Sequence, residues 1–109
     1  MRSTTIERAT DVAVRDGVLL RATVYRGDEP RPVLLVRNPY GEPMSRNVPV
    51  MPFLEAGFAV VVQDCRGCGA SDGEFIPFEN EANDTLDSIQ WCAEQDWSTG
   101  QVVTYGASY

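Results

Sequence analysis

The sequence predicts an α/β fold in which an N-terminal antiparallel hairpin is followed by parallel strands with crossover helices. The first observation is an Asp16-Gly17 pair between two weakly alternating runs, a strong hairpin signal. The second is that residues 33–36 and 58–62 are apolar on both faces, and that Val102-Val103 opens a third such run. Such runs are typical of strands covered on both sides in a parallel sheet. The third is a helical spacing of apolar residues before that third run.

The hairpin is predicted from alternation on both sides of its turn. Apolar residues recur at Val12 and Val14 before the turn and at Leu20, Ala22 and Val24 after it. An Asp-Gly pair fits a tight turn in which both central residues have positive φ. We therefore expect the chain to open with an antiparallel ribbon.

The longer helix is predicted from four apolar residues that recur at spacings of four, three and four. They are Ala82, Leu86, Ile89 and Ala93. We expect this apolar stripe to face the sheet. The acidic residues of the segment are expected to face away from the stripe as a solvated surface, rather than to act as paired carboxylates in acid–base catalysis. They are Glu79, Glu81, Asp84 and Asp87.

A shorter helix is predicted between the first two buried runs, from residue 49 to residue 56. Pro52 is compatible with a helix only near its first turn, and Gly57 is placed for a left-handed cap after the last turn. The predicted order is therefore hairpin, strand, short helix, strand, long helix and strand.

Composition excludes several classes of function. The chain has 109 residues, enough for one modest core. Its formal charge of −7, with no run of Lys or Arg, argues against a nucleic-acid partner and against an anionic membrane surface. No window approaches the ~20 apolar residues of a membrane span, and the N-terminus lacks the apolar stretch of a signal peptide. We therefore expect a cytoplasmic protein.

The cysteines do not predict a metal or redox site. Cys65, Cys68 and Cys92 are odd in number and sparse, which fits reduced thiols better than disulfides. Zinc needs four ligands, and the chain has no histidine to complete a set. No metal and no cofactor are expected. A mechanism that needs an imidazole base cannot be completed within these residues.

The segment from residue 64 to residue 75 is a glycine-rich loop that follows the second buried run. Its spacing matches neither the dinucleotide fingerprint nor the phosphate-binding P-loop. Asp64 or Asp72 can hydrogen-bond backbone amides within such a loop. We expect a tightly folded structural loop.

A candidate nucleophile follows the third buried run. Gly106-Ala107-Ser108 after a buried strand matches the first part of a nucleophile elbow, in which a strained strand-to-helix turn holds the serine hydroxyl above the sheet. In that arrangement the backbone N–H of Tyr109 is one oxyanion donor. The alternative is an ordinary turn after a strand, and the tripeptide alone does not decide between them.

A second candidate follows the first buried run, in the segment from Arg37 to Gly41. The loop at this place in an α/β-hydrolase supplies the other oxyanion donor, and the hydroxyl of Tyr40 could fill that role. The alternative is a plain turn in which Tyr40 is a half-buried packing residue.

Five strings occur in a characteristic order along the chain: Arg-Asp-Gly-Val at 15–18, Leu-Val-Arg-Asn-Pro-Tyr at 35–40, Gln-Asp-Cys-Arg-Gly-Cys-Gly-Ala-Ser-Asp-Gly-Glu-Phe at 63–75, Asp-Trp-Ser-Thr-Gly at 96–100 and Tyr-Gly-Ala-Ser-Tyr at 105–109. Together they resemble the N-terminal part of the X-Pro dipeptidyl-peptidase and cocaine esterase family of α/β-hydrolases, which also includes α-amino acid ester hydrolases and glutaryl-cephalosporin acylases. The resemblance covers nearly the whole chain.

The resemblance implies a serine hydrolase of esters or amides. Ser108 would be the acylated nucleophile, Tyr40 the side-chain oxyanion donor and Tyr109 the backbone donor. The triad aspartate and histidine of the family come later, so residues 1–109 would be a partial catalytic domain truncated inside the elbow and inactive alone. The substrate would be a small ester, an amide or a short peptide, and the complete protein could be a homo-oligomer. The open alternative is a non-catalytic α/β binding module in which Ser108 is only a turn residue.

Overall fold

A computed structural model describes residues 4–38, 49–76 and 79–105. The elements appear in the predicted order, and none of the described helices is long and apolar enough to cross a membrane. They are β1 (Thr5–Ala13), β2 (Leu19–Arg26), β3 (Arg31–Asn38), α1 (Val50–Glu55), β4 (Ala59–Asp64), α2 (Glu81–Ala93) and β5 (Ser98–Thr104).

The described strands form one mixed sheet in the order β1-β2-β4-β3-β5. β2 pairs in antiparallel fashion with β1 and with β4, whereas β3 is parallel to both β4 and β5. The α/β fold with an N-terminal hairpin and parallel strands is therefore confirmed. Because β3, β4 and β5 run the same way, their carboxyl ends lie at one edge of the sheet.

The hairpin forms as predicted, but its turn is of another type. Gly17 has a φ of 85°, and Ala9 is the one described non-glycine residue with positive φ. The N–H of Gly17 donates to the carbonyl of Val14 at 2.9 Å, and the N–H of Val14 donates to the carbonyl of Val18 at 3.1 Å. This is a longer turn with a single left-handed glycine, which also matches the twist of the strands. The expectation that Asp16 has positive φ was wrong.

The short helix α1 is confirmed, together with its predicted cap. Gly57 has a φ of 100°, and its N–H donates to the carbonyl of Leu54 at 3.1 Å. The N–H of Phe58 donates to the carbonyl of Phe53 at 3.0 Å, and the two rings meet edge to face with centroids 6.0 Å apart. This is a Schellman ending, which satisfies the last carbonyls of the helix and returns the chain into β4.

The core lies on both faces of β3 and β4, so these two strands are buried as predicted. Odd-numbered residues of β3 and β4, including Leu35 and Val61, belong to the cluster that contains Cys92 of α2. Their even-numbered neighbours pack with Leu54 of α1. β5 differs, because it lies at the edge of the described sheet and Val103 is 47% exposed. The prediction that the third run is covered on both faces is wrong for the described residues.

The helix α2 exists, but the predicted apolar stripe coincides only in part with the face it buries: Ile89 packs against the core. Its buried residues are Asp84, Ser88 and Cys92, which recur every four positions. Leu86, a member of the stripe, is 59% exposed, while Asp84 is 2% exposed. The buried face is polar along much of its length because side chains from the sheet and its loops meet it with hydrogen bonds, as described below.

Candidate functional site

The carboxyl edge of the parallel strands is where a site is expected, because ligands of open α/β sheets bind outside the carboxyl ends of the strands. β3 and β4 end side by side, with Asn38 opposite Asp64 in the register. On the other side of β3, Leu35 is opposite Thr104 of β5. The N–H of Tyr105 continues this pairing by donating to the carbonyl of Leu35 at 3.0 Å.

The three predicted site residues, Tyr40, Ser108 and Tyr109, lie outside the described residues. The described strands that precede them are nevertheless informative. β3 ends two residues before Tyr40, and Tyr105 is three residues before Ser108. Since β3 and β5 are adjacent and parallel, the two segments start from neighbouring points at the same edge. The roles of the three residues stay predictions.

The glycine-rich loop after β4 is folded around Asp64, as the sequence predicts. The Asp64 carboxylate accepts a hydrogen bond from the N–H of Ala70 at 3.1 Å, and the backbone carbonyl of Asp64 accepts one from the Ser71 hydroxyl at 2.6 Å. Gly69 has a φ of 51°, and a Cβ there would overlap the Asp64 carboxylate. The Ser71 hydroxyl also accepts from the N–H of Arg21 at 2.8 Å, which fastens the loop to β2.

Arg66 connects this loop to α2 and to the hairpin turn. Its Nε donates to Oδ2 of Asp84 at 2.9 Å and its Nη2 to Oδ1 at 2.8 Å, a bidentate pair. Its Nη1 lies 2.9 Å from Oδ2 of Asp16. The hydrogen bonds that Arg66 donates to Asp84 and then to Asp16 raise the pKa of its guanidinium, and the bond to Asp16 lowers the pKa of that carboxyl. One guanidinium therefore joins three elements.

Arg37, at the carboxyl end of β3, forms a second polar cluster with α2. Its Nε donates to Oε1 of Gln63 at 2.7 Å, and its Nη1 donates to the Thr85 hydroxyl at 2.9 Å and pairs with the Glu81 carboxylate. Ser88 donates its hydroxyl to the same Gln63 oxygen at 3.0 Å. The cluster ties the ends of β3 and β4 to the helix that crosses them.

A row of carboxylates along α2 is thus ion-paired instead of solvated, and the expectation of a solvated acidic face is wrong for these residues. Three acidic residues, spaced three positions apart, each form an ion pair with an arginine from a different element. The pairs are Glu81 with Arg37 of β3, Asp84 with Arg66 of the loop and Asp87 with Arg15 of the hairpin turn. Hydropathy spacing does not reveal such pairs. The sequence does contain one signal for these pairs, because Arg37 and Arg66 each come shortly after an apolar strand run, where a buried charge needs a partner.

The cysteines are buried thiols. Burial raises the pKa of Cys65 and that of Cys92 to about 12, and it also raises the pKa of Cys68. A thiol with such a pKa is a poor nucleophile at neutral pH. Within residues 4–38, 49–76 and 79–105, no group of three or more His, Cys, Asp or Glu side chains could hold a metal ion. A cavity of about 20 Å³ beside Cys65, Arg66 and Glu81 has room for about one water molecule.

Known proteins similar in sequence identify the family of this chain. A family model described as X-Pro dipeptidyl-peptidase (S15 family) matches residues 16–109. The chain belongs to this family. The resemblance drawn from the five sequence strings is therefore confirmed.

Relatives of this chain include enzymes that are much longer than it is. It is 43% identical over 105 residues to the cocaine esterase of Rhodococcus sp. (strain MB1 Bresler), covering 90% of this chain and 18% of that protein. A solved α-amino acid ester hydrolase is 25% identical with a TM-score of 0.82, covering 99% of this chain and 22% of the other. A CocE/NonD family hydrolase from Staphylococcus aureus is 26% identical with a TM-score of 0.80, covering 93% and 22%.

Proposed function

We propose that this chain is part of a serine hydrolase that cleaves an ester or amide bond through an acyl-enzyme. The observation that carries the proposal is the parallel pairing of β3 with β5. It brings the segments leading to Tyr40 and to Ser108 to neighbouring points at the edge where α/β enzymes bind their substrates. Family membership supports the same chemistry.

In the proposed reaction, the Ser108 hydroxyl attacks the carbonyl carbon of the substrate. The oxyanion that forms accepts hydrogen bonds from the Tyr40 hydroxyl and the Tyr109 N–H, each worth about 3–4 kcal/mol in the transition state. Collapse of the intermediate breaks the bond to the alcohol or amine, which leaves with a proton, and the acyl group stays on Ser108. Water then attacks the acyl-enzyme and releases the acid.

The serine needs a base that these residues do not supply. The chain has no histidine, and it spans only 18% and 22% of the lengths of the relatives named above. We therefore propose that residues 1–109 form part of the catalytic domain of a longer protein, which contributes the histidine and the aspartate. The relatives' names favour a small ester, an amide or a short peptide as substrate, and esterase, peptidase and acylase stay open. The cytoplasmic location also stays a prediction.

Hydrolysis by the complete protein tests this function. We expect turnover of p-nitrophenyl acetate or of an X-Pro p-nitroanilide, and we expect Ser108→Ala to lower kcat by at least about 10⁴-fold because the nucleophile is removed. Ser98→Ala is the matched control, since Ser98 begins the strand that precedes Ser108 and bonds locally to the N–H of Gly100. Hydrolysis that survives Ser108→Ala would contradict the proposal and favour a module in which Ser108 is a turn residue.

A further inference from the structure

Arg37 is a charged side chain in an unusual place. It lies on β3 one residue before the strand ends, and its side chain is only 9% exposed. Arginine is rarely buried to this extent unless it is paired. The side chain contacts two other elements, Gln63 at the end of β4 and Glu81 with Thr85 on α2.

Stability alone does not account for this cluster. The Nη2 of Arg37 and the Nε2 of Gln63 are buried donors with no acceptor among the described residues, so the described contacts satisfy the cluster only in part. Apolar side chains of similar volume often replace a buried ion pair with no loss of stability. What the cluster provides is geometry, because a planar guanidinium with fixed donors holds β3, β4 and α2 in one arrangement.

The arrangement ends two residues before the proposed oxyanion donor in the sequence. Asn38, the next residue, is buried, and its carbonyl accepts the N–H of Cys65 at 3.0 Å. Tyr40 follows two residues later. A donor to an oxyanion must sit within a few tenths of an ångström of the correct place, and a displacement of about 1 Å can cost 10²-fold in rate.

We infer that Arg37 is a positioning residue for the Tyr40 hydroxyl. This inference rests on the proposed function. Arg37 does not touch substrate; it fixes the carboxyl end of β3 against β4 and α2, so that the segment carrying Tyr40 starts from a rigid point. Its loss lowers kcat by misplacing the oxyanion donor, with substrate binding little changed.

The first test compares three variants of the complete protein in ester hydrolysis. Arg37→Met is expected to lower kcat about tenfold with KM changed less than about twofold. Arg37→Lys keeps a charge near Glu81 but cannot also reach Gln63, so it is expected to recover part of the loss. Arg15→Met removes another arginine–carboxylate pair of the same helix, at the hairpin turn, and is expected to leave kcat unchanged. Equal kcat in wild type and Arg37→Met would overturn the inference.

A double-mutant cycle with Tyr40→Phe separates positioning from general damage. Tyr40→Phe is expected to lower kcat about 10²-fold. If Arg37 acts through Tyr40, adding Arg37→Met to that background lowers kcat by less than about twofold more. A full tenfold loss in both backgrounds would overturn the inference. Where Arg37→Met does not fold, Arg37→Lys takes its place in the same cycle.

The outcomes also distinguish this inference from the proposed function. A large effect of Tyr40→Phe combined with additive effects of the Arg37 variants leaves the hydrolase proposal standing and removes only the role of Arg37. No effect of Tyr40→Phe removes the oxyanion role of Tyr40, and with it the positioning role of Arg37.

Discussion

Asp84 is buried in the structure, although the spacing of apolar residues predicts that it faces solvent. It lies on the buried face of α2, where both of its carboxylate oxygens accept hydrogen bonds from Arg66. A buried pair of this kind contributes little net stability when complete, but it is costly to break, because the remaining charge is left without its partner. The pair therefore holds the loop after β4 in one position relative to the helix.

We expect Asp84→Asn to destabilise the complete protein by about 3 kcal/mol, because it leaves the Arg66 guanidinium without its buried carboxylate. Urea unfolding of wild type and variant measures the change in the free energy of unfolding. The control is Asp87→Asn, which breaks the pair with Arg15, whose side chain is 54% exposed, and should have a much smaller effect. Equal losses at the two positions would contradict the assignment of Asp84 to the buried face.

Individual residues also mark the limit of what the sequence could predict. Gly57 and Asp64 were predictable, because a left-handed cap and a side chain that bonds nearby amides depend on residues close in the chain. The partners of α2 were not, since Arg66 is 18 residues from Asp84 and Arg15 is 72 residues from Asp87. The role of Arg37 could not be found either, because it depends on which strands become neighbours.

At the scale of elements, α2 is attached to the rest of the fold both by apolar packing of Ile89, Trp91 and Cys92 and by carboxylate–arginine pairs. Its three acids face β3, the loop after β4 and the hairpin turn in succession. The apolar spacing could not predict the buried face in full, because Asp84 is buried by its pair with Arg66 and Ser88 by its hydrogen bond to Gln63. β3 and β4 were predicted correctly because strands covered on both faces are apolar throughout. This signal is visible in the sequence whichever elements cover them.

These attachments predict a loss of stability in acid. Hydrogen bonds from Arg66 and Arg15 lower the pKa values of Asp16 and Asp87 below the ordinary 3.8. A lowered pKa in the folded state means that the stabilisation is fully present above the ordinary pKa and is lost as pH falls below it through the folded-state value. The hairpin turn should therefore loosen from α2 below about pH 4.

Thermal unfolding of the complete protein from pH 7 to pH 2 measures this effect. We expect the melting temperature of wild type to exceed that of Asp87→Asn above about pH 5, and the difference to shrink as pH falls below the ordinary aspartate pKa. A difference between the two proteins that stays constant down to pH 2 would show that ionisation of Asp87 does not stabilise the fold.

At the scale of the whole molecule, the described residues form a sheet with an exposed edge. β5 pairs on one side only among these residues, and Val103 is exposed beside that edge. An open edge strand with exposed apolar side chains is prone to pair with other chains. We therefore expect residues 1–109 alone to aggregate and to be inactive.

If Ser108 is an activated nucleophile in the complete protein, as proposed, a fluorophosphonate probe labels it covalently. Peptide mass spectrometry should find one adduct on the complete protein, at Ser108, and none on the isolated chain of residues 1–109, because only a serine with its base reacts. The adduct should disappear in Ser108→Ala and persist in Ser98→Ala. An unlabelled complete protein, or an adduct at any other serine, would contradict the account.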